Sequence, residues 1–182
     1  AVRGRGPITE AILQPELAAE ITLQPVRRYG VDAAVLFSDI VTPVHAIGVD
    51  IDVVPGIGPV VEQPFRSRAD LGRLRPLDPE ADTPYVLETI KAVISATDVP
   101  LIGFAGAPFT VASYLIEGRP SRTYGATKAL MLGDEALWFD LMEALGDLAI
   151  ASIRSQVNAG ARAVQLFDSW AGALTPAHYR RY

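Results

Sequence analysis

Apolar and polar positions repeat along this chain in a recognisable order. Three short, nearly continuous hydrophobic runs stand out: residues 31–40 (VDAAVLFSDI), 99–108 (VPLIGFAGAP) and 161–170 (ARAVQLFDSW). A run without two-residue alternation suits a strand covered on both faces of a parallel sheet. Strands are expected near residues 33–38, 100–105 and 163–167. Each run follows a stretch of helical period and ends in small or polar residues: Ser-Asp, Ala-Gly-Ala-Pro and Asp-Ser. Repeated strand–loop–helix units of this kind predict an α/β fold.

The helices between the runs are well punctuated. Thr83 stands as an N-cap before Pro84, opening a helix over 84–96, because proline suits the first helical position. Asp134 is placed to cap a helix over 135–159, with Leu137, Leu141, Leu145, Leu148 and Val157 on one face. Gly160 stands where a left-handed residue ends a helix. Residues 16–29 also read as helical, closed by Gly30, with Pro25 expected to break them in two. Thr175-Pro176 opens a further helix. Residues 49–63 carry β-branched runs on either side of Pro55-Gly56 and read as a β-hairpin. Residues 99–116 lack a charge over 18 positions, yet Pro100, Gly103, Gly106 and Pro108 favour strand, turn and helix over a membrane span.

Such units build either an open doubly wound sheet or a (β/α)8 TIM barrel. A Rossmann-type sheet wants a glycine-rich turn after its first strand, whereas here that strand ends in Ser38-Asp39. Polar residues at three strand ends match the C-terminal face of a barrel, where catalytic groups gather. A complete barrel takes about 250 residues. The 182 residues are therefore expected to form a partial barrel of about three core strands, with flanking helices and a hairpin insertion, all in one barrel domain. Ala1 without an initiator Met, and Tyr182 inside a helical pattern, raise the expectation of an internal fragment.

Composition narrows the chemistry. At 49% hydrophobic residues the chain is no disordered segment. Its 16 basic and 21 acidic residues give a net charge of −5 without any block of like charges, which speaks against nucleic acid as a partner. The absence of Cys removes disulfides, thiolate metal sites and a cysteine nucleophile. No secretory leader pattern occupies Ala1–Arg5. His45, in a loop after Pro43, and His178 are the only histidines, so no metal site is expected.

Several residues carry candidate chemistry. Asp39 ends an apolar strand, where a carboxylate pays desolvation unless something donates to it. It could act as a base, accept substrate N–H groups, or merely cap the next helix. Asp168 could join it in a glycosidase-like pair, although a supporting or capping role is the simpler reading. Ser169 has no neighbouring base to make it a hydrolytic nucleophile. The segment from Gly103 to Pro108 lacks the Lys-Ser/Thr of a P-loop, but free N–H groups there could hold a carboxylate. Tyr114 lies within two turns of Pro108 and either overlooks the strand ends or sits in the core. Arg3, Arg5, Arg119 and Arg122 could meet an anionic substrate or remain solvated surface.

Four separated motifs change the picture. FSDI at 37–40, VVPGIGPVVEQP at 53–64, GFAGAPFTVASYLIEG at 103–118 and QLFDSWAGALTP at 165–176 resemble, in order, the uroporphyrinogen decarboxylase family. The likeness runs along essentially the whole chain. It implies a single (β/α)8 barrel and a cytoplasmic, homodimeric enzyme that uses no cofactor and no metal. The implied substrate is uroporphyrinogen, a tetrapyrrole whose four acetates are lost as CO2 to give coproporphyrinogen in haem biosynthesis. By motif, Asp39 matches the family's central aspartate, the catalytic residue that accepts hydrogen bonds from pyrrole N–H groups. Tyr114, Ser169, Phe37, Phe104 and the Gly106 amide match substrate-binding positions. The family's Arg-Gln-Ala-Gly-Arg segment and a late histidine are absent, so the isolated chain is expected to be inactive. Competing readings are a barrel methyltransferase of the same superfamily, disfavoured by the lack of Cys, the glycosidase, and a non-catalytic tetrapyrrole-binding remnant. No membrane partner is expected.

Overall fold

A computed structural model describes residues 7–182. Two N-terminal helices, α1 (Ile8–Ile12) and α2 (Pro15–Tyr29), precede strand β1 (Ala34–Val35) and helix α3 (Thr42–Ala46). An antiparallel hairpin follows, β2 (Ile51–Val54) and β3 (Gly58–Val61). Beyond a 3-10 turn at Arg68–Arg73 come α4 (Pro79–Asp82), α5 (Pro84–Ala96) and strand β4 (Leu101–Gly106). The chain then runs through α6 (Pro108–Glu117), α7 (Gly125–Gly133) and α8 (Glu135–Ala159) to β5 (Ala163–Phe167) and α9 (Pro176–Arg181).

β1, β4 and β5 form one sheet in that order, and both neighbouring pairs are parallel. Helices therefore carry every return between them, as the hydrophobic runs predict. Register sorts the two faces: Ala34 pairs with Leu101 on one, and Val35 with Ile102, and Phe104 with Gln165, on the other. The first face is packed. Ala34, Leu36 and Leu101 are buried with Ala19 and Leu23 of α2 and Val86, Ile90 and Val93 of α5. A larger core joins the hairpin to α6 and α8 through Ile51, Val61, Phe109, Leu115, Trp138 and Leu141. The hairpin is tied there by Val61 N–H to Gly118 O (2.8 Å), with Phe65 N–H to Leu115 O (2.9 Å) just beyond it.

Local chemistry accounts for most of the element ends. The Asp134 carboxylate accepts the Leu137 N–H at 3.0 Å and starts α8, whereas Gly30, at φ 62°, closes α2 in the left-handed conformation. No helix among the described residues is long and apolar enough to cross a membrane.

Five expectations are corrected. α2 runs through Pro25 without a break. The proline ring faces solvent on an exposed position, so water can hydrate the carbonyl left without its amide partner. Thr83 stands at the N-cap position of α5, but its side chain makes no capping bond; its hydroxyl donates to Pro79 O at 3.1 Å instead. His45 lies in α3 rather than in a loop. Val157 is exposed, because the buried stripe of α8 continues from Leu148 through Ser152 to Gln156. Finally, β5 is exposed along its whole length rather than buried on both faces. It is an edge strand, and no described strand pairs with its far side.

β1 contributes only two ladder residues. The Leu36 N–H still donates to Ile102 O at 3.0 Å. Phe37 N–H, on the edge away from β4, donates to the Thr22 hydroxyl of α2 at 2.9 Å. Alternate residues of β4 face the same edge, so Phe104 presents its peptide groups where β1 has left. Gln156 fills the gap: its amide oxygen accepts the Phe104 N–H and its NH2 donates to the Phe104 carbonyl, both at 2.8 Å.

Candidate active site

The loops after β1, β4 and β5 leave the sheet at one end, as in barrel enzymes. Asp39 sits in the first. Its Oδ1 accepts the Val41 N–H at 3.0 Å, and its own N–H donates to the Thr42 hydroxyl at 3.3 Å. Burial pushes the carboxyl pKa above the ordinary aspartate value, against the opposing pull of the Val41 and Ile40 N–H groups. Asp39 is thus short of donors for a carboxylate in such a place.

Gly106 lets this loop approach the end of β4. A Cβ there would lie 2.6 Å from Val111 Cγ2 and 3.0 Å from Ile40 Cβ. Ile40 therefore packs where any larger residue would stand.

Tyr114 projects from α6 and is half-buried. Its phenol pKa is raised, first by burial and then by the negative charge of Asp39, which brings these two residues into one electrostatic neighbourhood. The Tyr114 ring meets Trp170 edge-on at 5.2 Å, and Trp170 meets Tyr124 edge-on at 5.0 Å. Tyr124 has φ 53°, the one positive φ outside glycine among the described residues. Its burial against Trp170 offsets that local strain.

The loop after β5 carries Asp168, Ser169 and Trp170. Ala107 N–H donates to Phe167 O at 2.8 Å, which continues the β4–β5 contact one step beyond the strand. Asp168 Oδ1 accepts the Thr110 hydroxyl at 2.7 Å, and that hydroxyl accepts the Trp170 N–H at 3.2 Å. Ser169 lies between the two tethers and is exposed. The Asp168 carboxylate thus bonds within the protein, as the supporting reading has it, through the Thr110 hydroxyl and not through backbone N–H groups at the start of α6.

Phe37 and Phe104 are half-buried, and Phe104 meets Phe167 edge-on at 5.3 Å. Phe104 lines the open face of the sheet with Val35 and Ile102. Arg119 and Arg122 are exposed between α6 and α7 and form no ion pair among the described residues. Arg3 and Arg5 lie outside the described residues. His45 borders a cavity of about 10 Å³ with Asp39 and Tyr85, whereas His178 stands on α9 near Tyr182. No three His, Asp or Glu residues gather as a metal-binding group among the described residues.

Sequence reasoning missed Gln156, Thr110 and the bracing role of Trp170. A signal existed for the first two: each is a polar residue on an apolar helical face, and both are buried.

Relatives give this arrangement its context. The family model described as uroporphyrinogen decarboxylase matches residues 1–182. The uroporphyrinogen decarboxylase of Streptomyces avermitilis is 60% identical over 181 residues, covering 99% of this chain and 51% of that protein. The corresponding protein of Mycolicibacterium vanbaalenii is 54% identical over 182 residues, again covering 51% of its length. Among solved structures, a methyltransferase from Methanosarcina mazei aligns with TM-score 0.80 at 26% identity, over 97% of this chain and 52% of that one. The chain spans about half the length of the curated relatives it matches. Matched from its first residue to its last by the family model, the chain belongs to the uroporphyrinogen decarboxylase family.

Proposed function

We propose that the complete protein decarboxylates the four acetate side chains of uroporphyrinogen to give coproporphyrinogen, with Asp39 as its central acceptor. The observation that carries this reading is the half-buried carboxylate of Asp39 at the end of β1, which accepts only N–H groups of its own loop and whose charge is felt by Tyr114. A tetrapyrrole macrocycle offers four inward N–H donors, the groups such a carboxylate lacks.

The chemistry asks for an anion in this place. Protonating a pyrrole carbon next to the acetate-bearing carbon makes the ring cationic. The C–C bond to the carboxylate then breaks, its electron pair flows into the ring, and CO2 leaves. A proton added to the resulting methylene carbon and a proton lost from the ring restore the pyrrole. The balance is one acetate carboxylate and one proton consumed, one methyl group and one CO2 formed. A fixed carboxylate in a low-dielectric cleft stabilises the cation as it develops. Phe37, Phe104, the Gly106 amide, Tyr114 and Ser169 line the macrocycle's seat in this reading, with Tyr114 and Ser169 nearest a reacting side chain.

The three parallel strands in sequential order support a (β/α)8 barrel to which this chain contributes about three core strands. The solved methyltransferase favours a second reading on fold alone, but relatives at 54–60% identity outweigh one structure at 26%. Anaerobic incubation of the full-length protein with uroporphyrinogen tests the proposal. Four CO2 per macrocycle and a four-carboxylate product are expected, and recovery of the unreacted eight-carboxylate macrocycle would refute it.

A further inference from the structure

Thr110 is a fully buried hydroxyl on the first turn of α6. A hydroxyl removed from water needs both a donor and an acceptor contact, and Thr110 makes both to one loop. It donates to Asp168 Oδ1 at 2.7 Å and accepts from Trp170 N–H at 3.2 Å. These two bonds flank Ser169, so the loop is pinned on either side of the residue it presents. The indole of Trp170 in turn meets Tyr114 at 5.2 Å. Tyr114 follows Thr110 by four positions on the same helix, which puts both on one face. A closed circuit results: helix to loop through the hydroxyl, and loop back to helix through the aromatic pair.

We propose that Thr110 is a positioning residue: through Asp168 and Trp170 its hydroxyl sets the loop that presents Ser169 and holds the Tyr114 ring on the side of Asp39. The kinetic part of the test rests on the decarboxylase reading, whereas the spectroscopic part does not. In the full-length protein, Thr110→Val keeps the side-chain shape and removes the hydroxyl. Turnover of uroporphyrinogen is expected to fall about 10- to 100-fold, the scale of a small misplacement at a reacting centre. Thr110→Ser, which restores the hydroxyl, should return kcat to within about threefold of the parent, a gap under 1 kcal/mol.

Acrylamide quenching reads the loop directly. Read as the difference from the matching protein carrying Trp170→Phe, Trp170 should become more quenchable in Thr110→Val and not in Thr110→Ser. If the valine variant melts below the assay temperature, Thr110→Ala replaces it in both measurements. A hydroxyl-free variant with unchanged quenching and kcat within about twofold of the parent would overturn the proposal. So would a serine variant as impaired as the valine one, since packing of the methyl would then be the cause. A parent protein inert towards uroporphyrinogen would remove the decarboxylase reading, and the quenching comparison alone would then decide the role of Thr110.

Discussion

The ends of β1 and β5 carry nearly the same residues, Ser38-Asp39 and Asp168-Ser169, and use them in opposite ways. After β1 the backbone abandons the sheet and leaves Gln156 to bond the open peptide of Phe104. Asp39 then stands half-buried with Val41 as its close donor, and desolvation raises its pKa. After β5 the contact with β4 continues through Ala107, and Asp168 is taken up by the Thr110 hydroxyl. Asp39 draws only on N–H groups of its own loop, whereas Asp168 takes a hydroxyl from another element and ties its loop to α6. A desolvated acid with only local donors is what a ligand rich in N–H groups can complete, and an acid bonded across elements is what keeps a loop in place.

Asp39→Asn should show the largest effect and breaks the comparison at its sharper end. In the full-length protein, turnover of uroporphyrinogen should drop by about 10²–10³, as when one preorganised electrostatic group is removed. Stability should move the other way. Because burial raises the folded-state pKa of Asp39, the stability tied to this group is fully present below its unfolded pKa and declines as pH rises through the folded one. Asparagine escapes that decline while its side-chain oxygen still accepts the Val41 N–H. The variant should therefore resist urea better than the parent at pH 7, and the advantage should vanish towards pH 3. The acidic limb of kcat/KM in the parent should likewise lie above the ordinary aspartate range, since activity needs the ionised form. A variant that keeps its turnover, or that unfolds more easily at pH 7, would remove the contrast between the two acids.

How far the sequence carries depends on what each feature rests on. The bounds of α8 were readable because Asp134 and Gly160 act through their own backbone neighbours. The hairpin was readable because Pro55-Gly56 punctuates two β-branched runs. Asp39 was visible as a carboxylate ending an apolar run, and its role came through the motif resemblance. The features that escaped all depend on distant partners. Pro25 stays within α2 because its side faces solvent, and β5 is exposed because the helices that cover β1 and β4 do not reach it. Gln156 and Thr110 are explained only by partners 52 and 58 residues away. No local pattern states which peptide group β1 will leave unpaired.

Gln156→Leu sharpens the comparison at the place where β1 leaves the sheet. It keeps the bulk on α8 and removes both partners of Phe104. An unsatisfied buried polar group costs about 1–3 kcal/mol, so losing two should destabilise the protein by roughly 3 kcal/mol in urea unfolding. A loss below about 1 kcal/mol would mean that water or a shifted β1 takes over the role of the amide. Gly106→Ala follows at about 1–3 kcal/mol, because its methyl meets Val111 and Ile40 within the close-packed limit. That variant should also lower kcat/KM, as Ile40 moves and carries Asp39 with it. Destabilisation with unchanged kcat/KM would place the strain on Val111 alone.

Asp168→Asn should show the smallest effect, and its smallness is informative. Its side-chain oxygen can still accept the Thr110 hydroxyl, so the loop keeps its tether while the charge is lost. Turnover should stay within about threefold of the parent, less than 1 kcal/mol of barrier. Asp168→Ala removes the acceptor as well and should fall further, by about tenfold or 1.4 kcal/mol. The order asparagine above alanine assigns the work to hydrogen-bond acceptance, as expected of a loop anchor. If Asp168→Asn matched Asp39→Asn in its loss of turnover, both charges would act on the substrate, and the two strand ends would form a pair of catalytic acids.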